Sequence, residues 1–255
     1  MTATPTRGLC VVVPMLNEEK LVAQTLESLR AQEYQDFTTV VVDNGSTDRS
    51  CQLVAEYAAA HPAMDLRLLH EPEKGTGAAA DTGMLFGVEH GATWLARTDA
   101  DCLAAPDWTA HIIAGFESGL EMIAGRLVPR SDEGITTWER KMMLLAVEVA
   151  SFFGRIRPGN QGEGYLGPYQ MLPGCNMAIT ADMYRRSGGF PRTRIEDLHE
   201  DRALSNQVRR LTRNYGLRRD VLVYGSSRRV KAWGLKNTLA WYADHRYRPE
   251  HVDIR

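Results

Sequence analysis

Short apolar runs that each stop at a cluster of polar residues recur through the first half of the chain, separated by segments with helical spacing; no other feature restricts the fold as much. Leu9 to Val13 is apolar and β-branched and ends at Pro14, which suits a strand buried on both faces of a parallel sheet. Asn17 can then cap a helix carrying Leu21, Val22, Leu26 and Leu29, and Thr38 to Val42 forms a second run that completes a β-α-β unit. The pattern repeats with the turn Asp43-Asn44-Gly45-Ser46-Thr47-Asp48, a helix around Cys51 to Ala59, and a third strand at Leu66 to His70. Gly83 to His90 is predicted helical, Trp94 to Thr98 is a fourth strand ending at Asp99-Ala100-Asp101, and Trp108 to Phe116 is helical again. The chain is therefore α/β, with a mostly parallel sheet flanked by helices and its ligand beyond the carboxyl ends of the strands.

The second half is less regular. Thr137 to Phe153 reads as an apolar helix belonging to the core or to a contact between two copies in a homodimer. The glycine-rich stretch Gly154 to Gly167, with Tyr165 and Tyr169, has the composition of a mobile loop, and Leu172 to Phe190 that of a compact segment. No linker interrupts the 255 residues, so 1–255 is expected to be one domain.

A formal net charge of −2, with both signs spread along the chain, creates no field that would attract nucleic acid. Four scattered cysteines form neither a metal-binding pair nor a disulfide framework and read as reduced thiols. Met1 to Gly8 lacks the apolar stretch of a secretory signal, and the longest apolar run is too short to span a bilayer, so a cytoplasmic location is expected.

Asp99-Ala100-Asp101 places two carboxylates at a strand end, a donor set for a hard cation shared with the oxygens of a diphosphate. Such a triplet alone is as well explained by a solvated turn. Its neighbours add specificity: Pro14-Met15-Leu16-Asn17-Glu18-Glu19, Val42-Asp43-Asn44-Gly45-Ser46-Thr47-Asp48, Lys74-Gly75-Thr76-Gly77 through Gly83, Gly174-Cys175-Asn176-Met177-Ala178, Gly188-Gly189-Phe190 and Glu200-Asp201. In this order, over about residues 9 to 215, the series resembles glycosyltransferase family 2.

The resemblance implies a GT-A type, Rossmann-like fold, a nucleoside-diphosphate sugar donor, Mg2+ or Mn2+ at Asp99 and Asp101, and inverting transfer. Residues 9–115 would form the nucleotide-sugar-binding half, 116–230 the acceptor-binding half and 231–255 a C-terminal tail. It further implies donor contacts from Pro14, Asn17, Glu19, Asp43, Lys74, Gly75, Asp99, Ala100 and Asp101, a catalytic base at Asp201, and a further metal ligand at His245. Gly174-Cys175-Asn176 would offer amide donors to sugar hydroxyls, and Gly188-Gly189-Phe190 a close backbone approach. Glu196-Asp197 competes with Glu200-Asp201 for the base.

Two departures stand out. Asn44 occupies the position of a second aspartate, and Asp81 follows alanine where the family often has arginine and asparagine, leaving Lys74 as the nearest cation for the diphosphate. A nucleotidyltransferase and a non-catalytic nucleotide-sugar-binding protein stay open as alternatives. A nicotinamide oxidoreductase is disfavoured because Gly75-Thr76-Gly77-Ala78-Ala79-Ala80 follows the third strand, not the first. The acceptor, whether saccharide, lipid-linked or small molecule, is not legible. The arginines Arg209-Arg210, Arg213, Arg218-Arg219 and Arg228-Arg229 could meet acceptor phosphate or, in a peripheral membrane contact, anionic lipid, or could form a solvated face.

Overall fold

The computed structural model describes residues 5–156, 158–192 and 200–244. β1 (Leu9–Met15), β2 (Phe37–Asp43), β3 (Leu66–His70) and β4 (Trp94–Thr98) lie parallel in the order β3-β2-β1-β4, joined through α1 (Val22–Arg30), α2 (Ser50–Ala60) and α3 (Thr76–Glu89). The order reverses between β1 and β4, so a crevice opens where their carboxyl ends diverge. Beyond β4 the sheet continues with β7 (Asn176–Thr180) and β6 (Met122–Pro129), each antiparallel to its predecessor, then β8 (Tyr215–Gly225) parallel to β6, and finally the short β5 (Leu103–Ala104).

Every residue of β1 and β2 is buried, which is why these strands read as runs dominated by apolar and β-branched residues. Successive side chains point to opposite faces. Leu9, Val11, Val13 and Met15 pack on Val22, Leu26 and Leu29 of α1 and on Trp108 and Ile112 of α4 (Trp108–Glu117). Cys10 and Val12 pack beneath Ala79, Ala80 and Met84 of α3 and Met183 and Tyr184 of α6 (Ala181–Ser187). All four cysteines are free thiols.

Several expectations are corrected. Asn17 caps no helix: it holds a left-handed backbone (φ 55°), and α1 starts only after Leu21. α3 begins at Thr76, seven residues before the predicted start, because its small residues are what let it lie against β1 and β2. A Cβ on Gly83 would sit 2.3 Å from Val12 Cγ1 and 2.9 Å from Val42 Cγ2. α5 (Thr137–Ile156) contributes no buried residue to the core. The glycine-rich stretch expected to be mobile is tied down: the Arg209 guanidinium, from α7 (Glu200–Leu211), donates to the Asn160 and Gly167 carbonyls and stacks 4.1 Å over the Tyr165 ring. The last described element is α8 (Arg228–Asp244), broken at Gly234 (φ 76°, ψ 160°). Among the described residues no helix is long and apolar enough to cross a membrane.

Gly83→Ala is expected to destabilise the fold by about 1–3 kcal/mol, because overpacking against two valines outweighs alanine's better helix propensity. Thermal unfolding would read this as a drop of several degrees, roughly 2–4 °C per kcal/mol at this size.

Candidate active site

The crevice between the ends of β1 and β4 holds a cleft of about 310 Å³. Its walls include Pro14 at the end of β1 and Glu18 after it, Asn44 after β2, Lys74 and Gly75 before α3, Asp99-Ala100-Asp101 after β4, and Ser226, Arg228 and Arg229 after β8. The first turn of α3 also faces it through Thr76, bringing the positive end of a helix dipole to the wall.

Asp99 is aimed by a buried cation. Arg97, 1% exposed, donates from Nε to Asp99 Oδ1 and from Nη1 to Glu200 Oε1, both at 3.2 Å, and lies 5.3 Å from the Phe190 ring centre. Enclosure pushes the Asp99 carboxyl above its usual range, Asp101 and Glu200 add to the rise, and Arg97 opposes it. Asp101 Oδ2 meets Arg228 Nη2 at 3.1 Å, and the same guanidinium grips both oxygens of Glu18. Burial raises the Glu18 carboxyl despite this partner.

Asp43 lies at the end of β2, outside the cleft lining, 4% exposed. Its oxygens accept from the Gly45 and Ser46 amides at 3.2 and 3.0 Å, and His70 Nδ1 approaches to 3.4 Å. Burial works to raise its pKa, but the Ser46, Cys51 and His70 hydrogen bonds outweigh it and hold the group ionised below the usual range. The ligating atoms of Asp43, Cys51 and His70 all lie within 4.8 Å of one another.

Asn17 and Glu19 also sit outside the lining, where they brace the loop after β1 against the loop after β2. Asn17 Oδ1 accepts from the Thr47 amide and Glu19 Oε2 from the Arg49 amide. Glu18, between them, is the residue turned inward. Lys74 Nζ reaches the Asn44 and Gly45 carbonyls at 3.0 and 3.2 Å.

Asp201, in the first turn of α7, accepts from its neighbour's amide, that of Arg202, at 2.6 Å, and the Gly174 amide also lowers its pKa. Burial and then the Glu200 charge push it up to about 6, with Arg97 opposing. Asp197 and His245 lie outside the described residues.

The two departures in the sequence have structural explanations. Asn44 donates from Nδ2 to the Glu71 and Glu73 carbonyls and accepts at Oδ1 from the Gly75 amide, a combination that a carboxylate cannot make. Asp81 accepts from the Tyr184 hydroxyl at 2.7 Å and pairs with Arg192, which also holds Glu71 and Glu73. Asn176 does not face the cleft: its side chain is fully buried between Trp108 Nε1 and the Arg126 and Val221 carbonyls. Gly188 and Gly189 form the left-handed turn that ends α6. Glu18 and the inward aim of Arg228 escape sequence reasoning; the one local signal was the basic pair directly after Ser226-Ser227.

A sequence profile described as "Glycosyl transferase family 2" matches residues 10–185. The polyprenol monophosphomannose synthase of Mycolicibacterium smegmatis is 28% identical over 157 residues, 60% of this chain and 57% of that protein. Glycosyltransferase AglE of Haloferax volcanii is 25% identical over 133 residues, 51% of this chain and 42% of that protein. The chain thus spans about half the length of these curated relatives. Among solved structures, the mannosyltransferase PcManGT from Pyrobaculum calidifontis in complex with GDP-Man and Mn2+ superposes with a TM-score of 0.63 at 22% identity, covering 97% of this chain and 66% of that one. S. aureus TarS 1-349 in complex with UDP-GlcNAc gives 0.62 at 16% identity, covering 86% and 58%. At these identities the superpositions show a shared GT-A architecture.

Arg97→Met is expected to cost about 3–5 kcal/mol, since it strands Glu200 as an uncompensated buried charge. Urea unfolding at neutral pH would read the loss as a lower midpoint at an unchanged slope.

Proposed function

The chain belongs to glycosyl transferase family 2, and from that premise we propose that it transfers a sugar from a nucleoside diphosphate to an acceptor oxygen with inversion, assisted by a divalent cation at Asp99 and Asp101. The observation that carries this reading is the cleft itself. Two carboxylates, the α3 amino end, Lys74 and the Arg228-Arg229 pair converge at the switch point of the sheet.

The donor set fits a hard cation. Asp99 and Asp101 supply carboxylate oxygens with no imidazole in the lining; Cys102 and Cys175 line it too, but the Cys175 hydrogen bond and burial push the Cys102 thiol up and keep it protonated, donating to Asp101, so the donor set favours Mg2+ or Mn2+. When bound, such an ion neutralises charge on the departing diphosphate. The protein's own part is to orient and to hold charge. Arg97 fixes one Asp99 oxygen, the α3 amino end and Lys74 face the diphosphate, and Arg228 supplies the cation that the sequence lacks beside Asp81. Pro14 and the Asp43 loop form the nucleoside side.

Asp201 takes the proton of the acceptor as its oxygen attacks the anomeric carbon; the bond from that carbon to the diphosphate breaks, and the nucleoside diphosphate leaves. A base with a pKa raised to about 6 is ionised at neutral pH yet basic enough to draw the proton. Several relatives are named for polyprenol, dolichyl or undecaprenyl phosphate, for example the UDP-N-acetylglucosamine–dolichyl-phosphate N-acetylglucosaminyltransferase of Methanococcus voltae, so a lipid phosphate is the first acceptor to assay.

The reading is tested by thermal shift with nucleoside diphosphates and their sugars, with and without Mn2+ or Mg2+. Stabilisation by one nucleotide class that requires metal and disappears in Asp101→Ala is expected; stabilisation by a nicotinamide dinucleotide, or by no nucleotide, overturns the reading.

Asp201→Asn is expected to keep that donor shift and to lose transfer by about 10²-fold or more, whereas full activity would move the base to Asp197. Wild-type transfer should fall as pH drops through about 6. Because the folded-state pKa of Asp201 is raised, the native state binds its proton more tightly than the unfolded chain between about pH 4 and 6. Its charge therefore costs stability above that window, and the asparagine variant should melt higher than wild type at pH 8.

A further inference from the structure

Helix α5 presents water with a face that helices normally bury. Trp138, Met142, Leu145, Val149, Phe152 and Ile156 recur at spacings of four and three residues, a single stripe about 27 Å long at 1.5 Å per residue. Trp138, Leu145, Val149, Phe152 and Ile156 are 64, 55, 45, 62 and 58% exposed. The side toward the body is also apolar, with Met143 and Leu144 half-buried. A helix apolar on both sides needs cover on both.

The charges along the stripe select between a second copy and a lipid surface. Lys141, Glu148 and Arg155 line one edge at intervals of seven. An antiparallel pair of α5 helices that matched Trp138 with Ile156, Met142 with Phe152 and Leu145 with Val149 would set Lys141 near Arg155 and Glu148 near Glu148, like against like. A parallel pair would set Lys141 across from Ala146 and Glu148 across from Phe153, with no compensating charge. Against a bilayer the same edge is complementary to anionic headgroups. Glu148 is drawn to Arg219 at 3.5 Å, leaving Lys141 and Arg155, both exposed, as the outward charge. The stripe carries aromatic residues near each end, as interfacial helices do.

We propose that α5 docks on an anionic lipid surface, with its Trp138 to Ile156 stripe lying in the headgroup boundary and Lys141 and Arg155 on the phosphates. α5 packs against β6 and α8, and Leu127 of β6 and Arg228 of α8 line the cleft, so docking holds the cleft beside the membrane. Docking does not depend on the donor or the metal, and it is measured without either.

The test is co-sedimentation of the full chain with vesicles of phosphatidylcholine alone or mixed with phosphatidylglycerol, paired with sedimentation velocity in the absence of lipid. The expected results are binding to the anionic vesicles only, a loss of about tenfold or more in Lys141→Glu/Arg155→Glu, and abolition in Leu145→Glu/Phe152→Glu, with unchanged melting because these side chains are exposed. The charge-reversal variant removes no apolar contact and serves as the readout if the stripe variant misfolds. No binding to anionic vesicles, or equal binding by the charge-reversed protein, overturns the proposal. So does a dimer in solution that the stripe substitutions dissolve, which would make the occupant a second copy.

Discussion

The interaction on which the site depends is the buried guanidinium of Arg97. An arginine does not shed its proton, so one that is 1% exposed requires anions from the elements packed around it. Asp99 supplies one from two residues along the chain and Glu200 the other from 103 residues away. Phe190 covers the guanidinium face. The end of β4 is thereby locked to the first turn of α7, and whatever Asp201 does is registered against whatever Asp99 does. A second string of charges, Asp101, Arg228 and Glu18, begins two residues further on and ties α8 to the loop after β1. Between them the two strings join four elements that the sheet alone would leave independent.

The parallel half of the fold was legible because its strands are short apolar-rich runs that stop at polar residues; β3 and β4 span the residues that the sequence predicts. The mixed half was not. β8 carries Arg218, Arg219 and Asp220 in its middle, and its burial alternates only in its second part, so no strand period stands out. The start of α3 is missed because the small residues from Gly75 to Ala80 look like a loop, whereas they open a helix whose Gly83 lets it rest on Val12 and Val42. α5 reads as core or as a contact between two copies because apolarity does not record which side of a helix meets protein and which meets solvent.

The site divides the same way. Asp99 and Asp101 could be found from one strand and its end. Arg228 stands in the sequence only as one of several arginines that could meet phosphate; its place in the cleft is not legible, since its carboxylate partner Glu18 is 210 residues away and no local pattern predicts that approach. Asn44 and Asp81, which depart from the family pattern, also serve the scaffold: one amide ties two loops to the start of α3, and one carboxylate anchors Tyr184 and Arg192. A departure from a family pattern can therefore coincide with a change of scaffold.

The pairing of Arg228 with both Glu18 and Asp101 gives the cleft a ledger of charge that is balanced from within. An anion entering there does not add itself to a bare cation; it competes for one already held. Recognition then becomes a trade of partners, in which the incoming group must match two carboxylates at once, and long-range attraction contributes little to the rate of encounter. In such a cleft an anion that arrived with a cation for Asp101 would free Arg228, and one that arrived alone would leave it where it was.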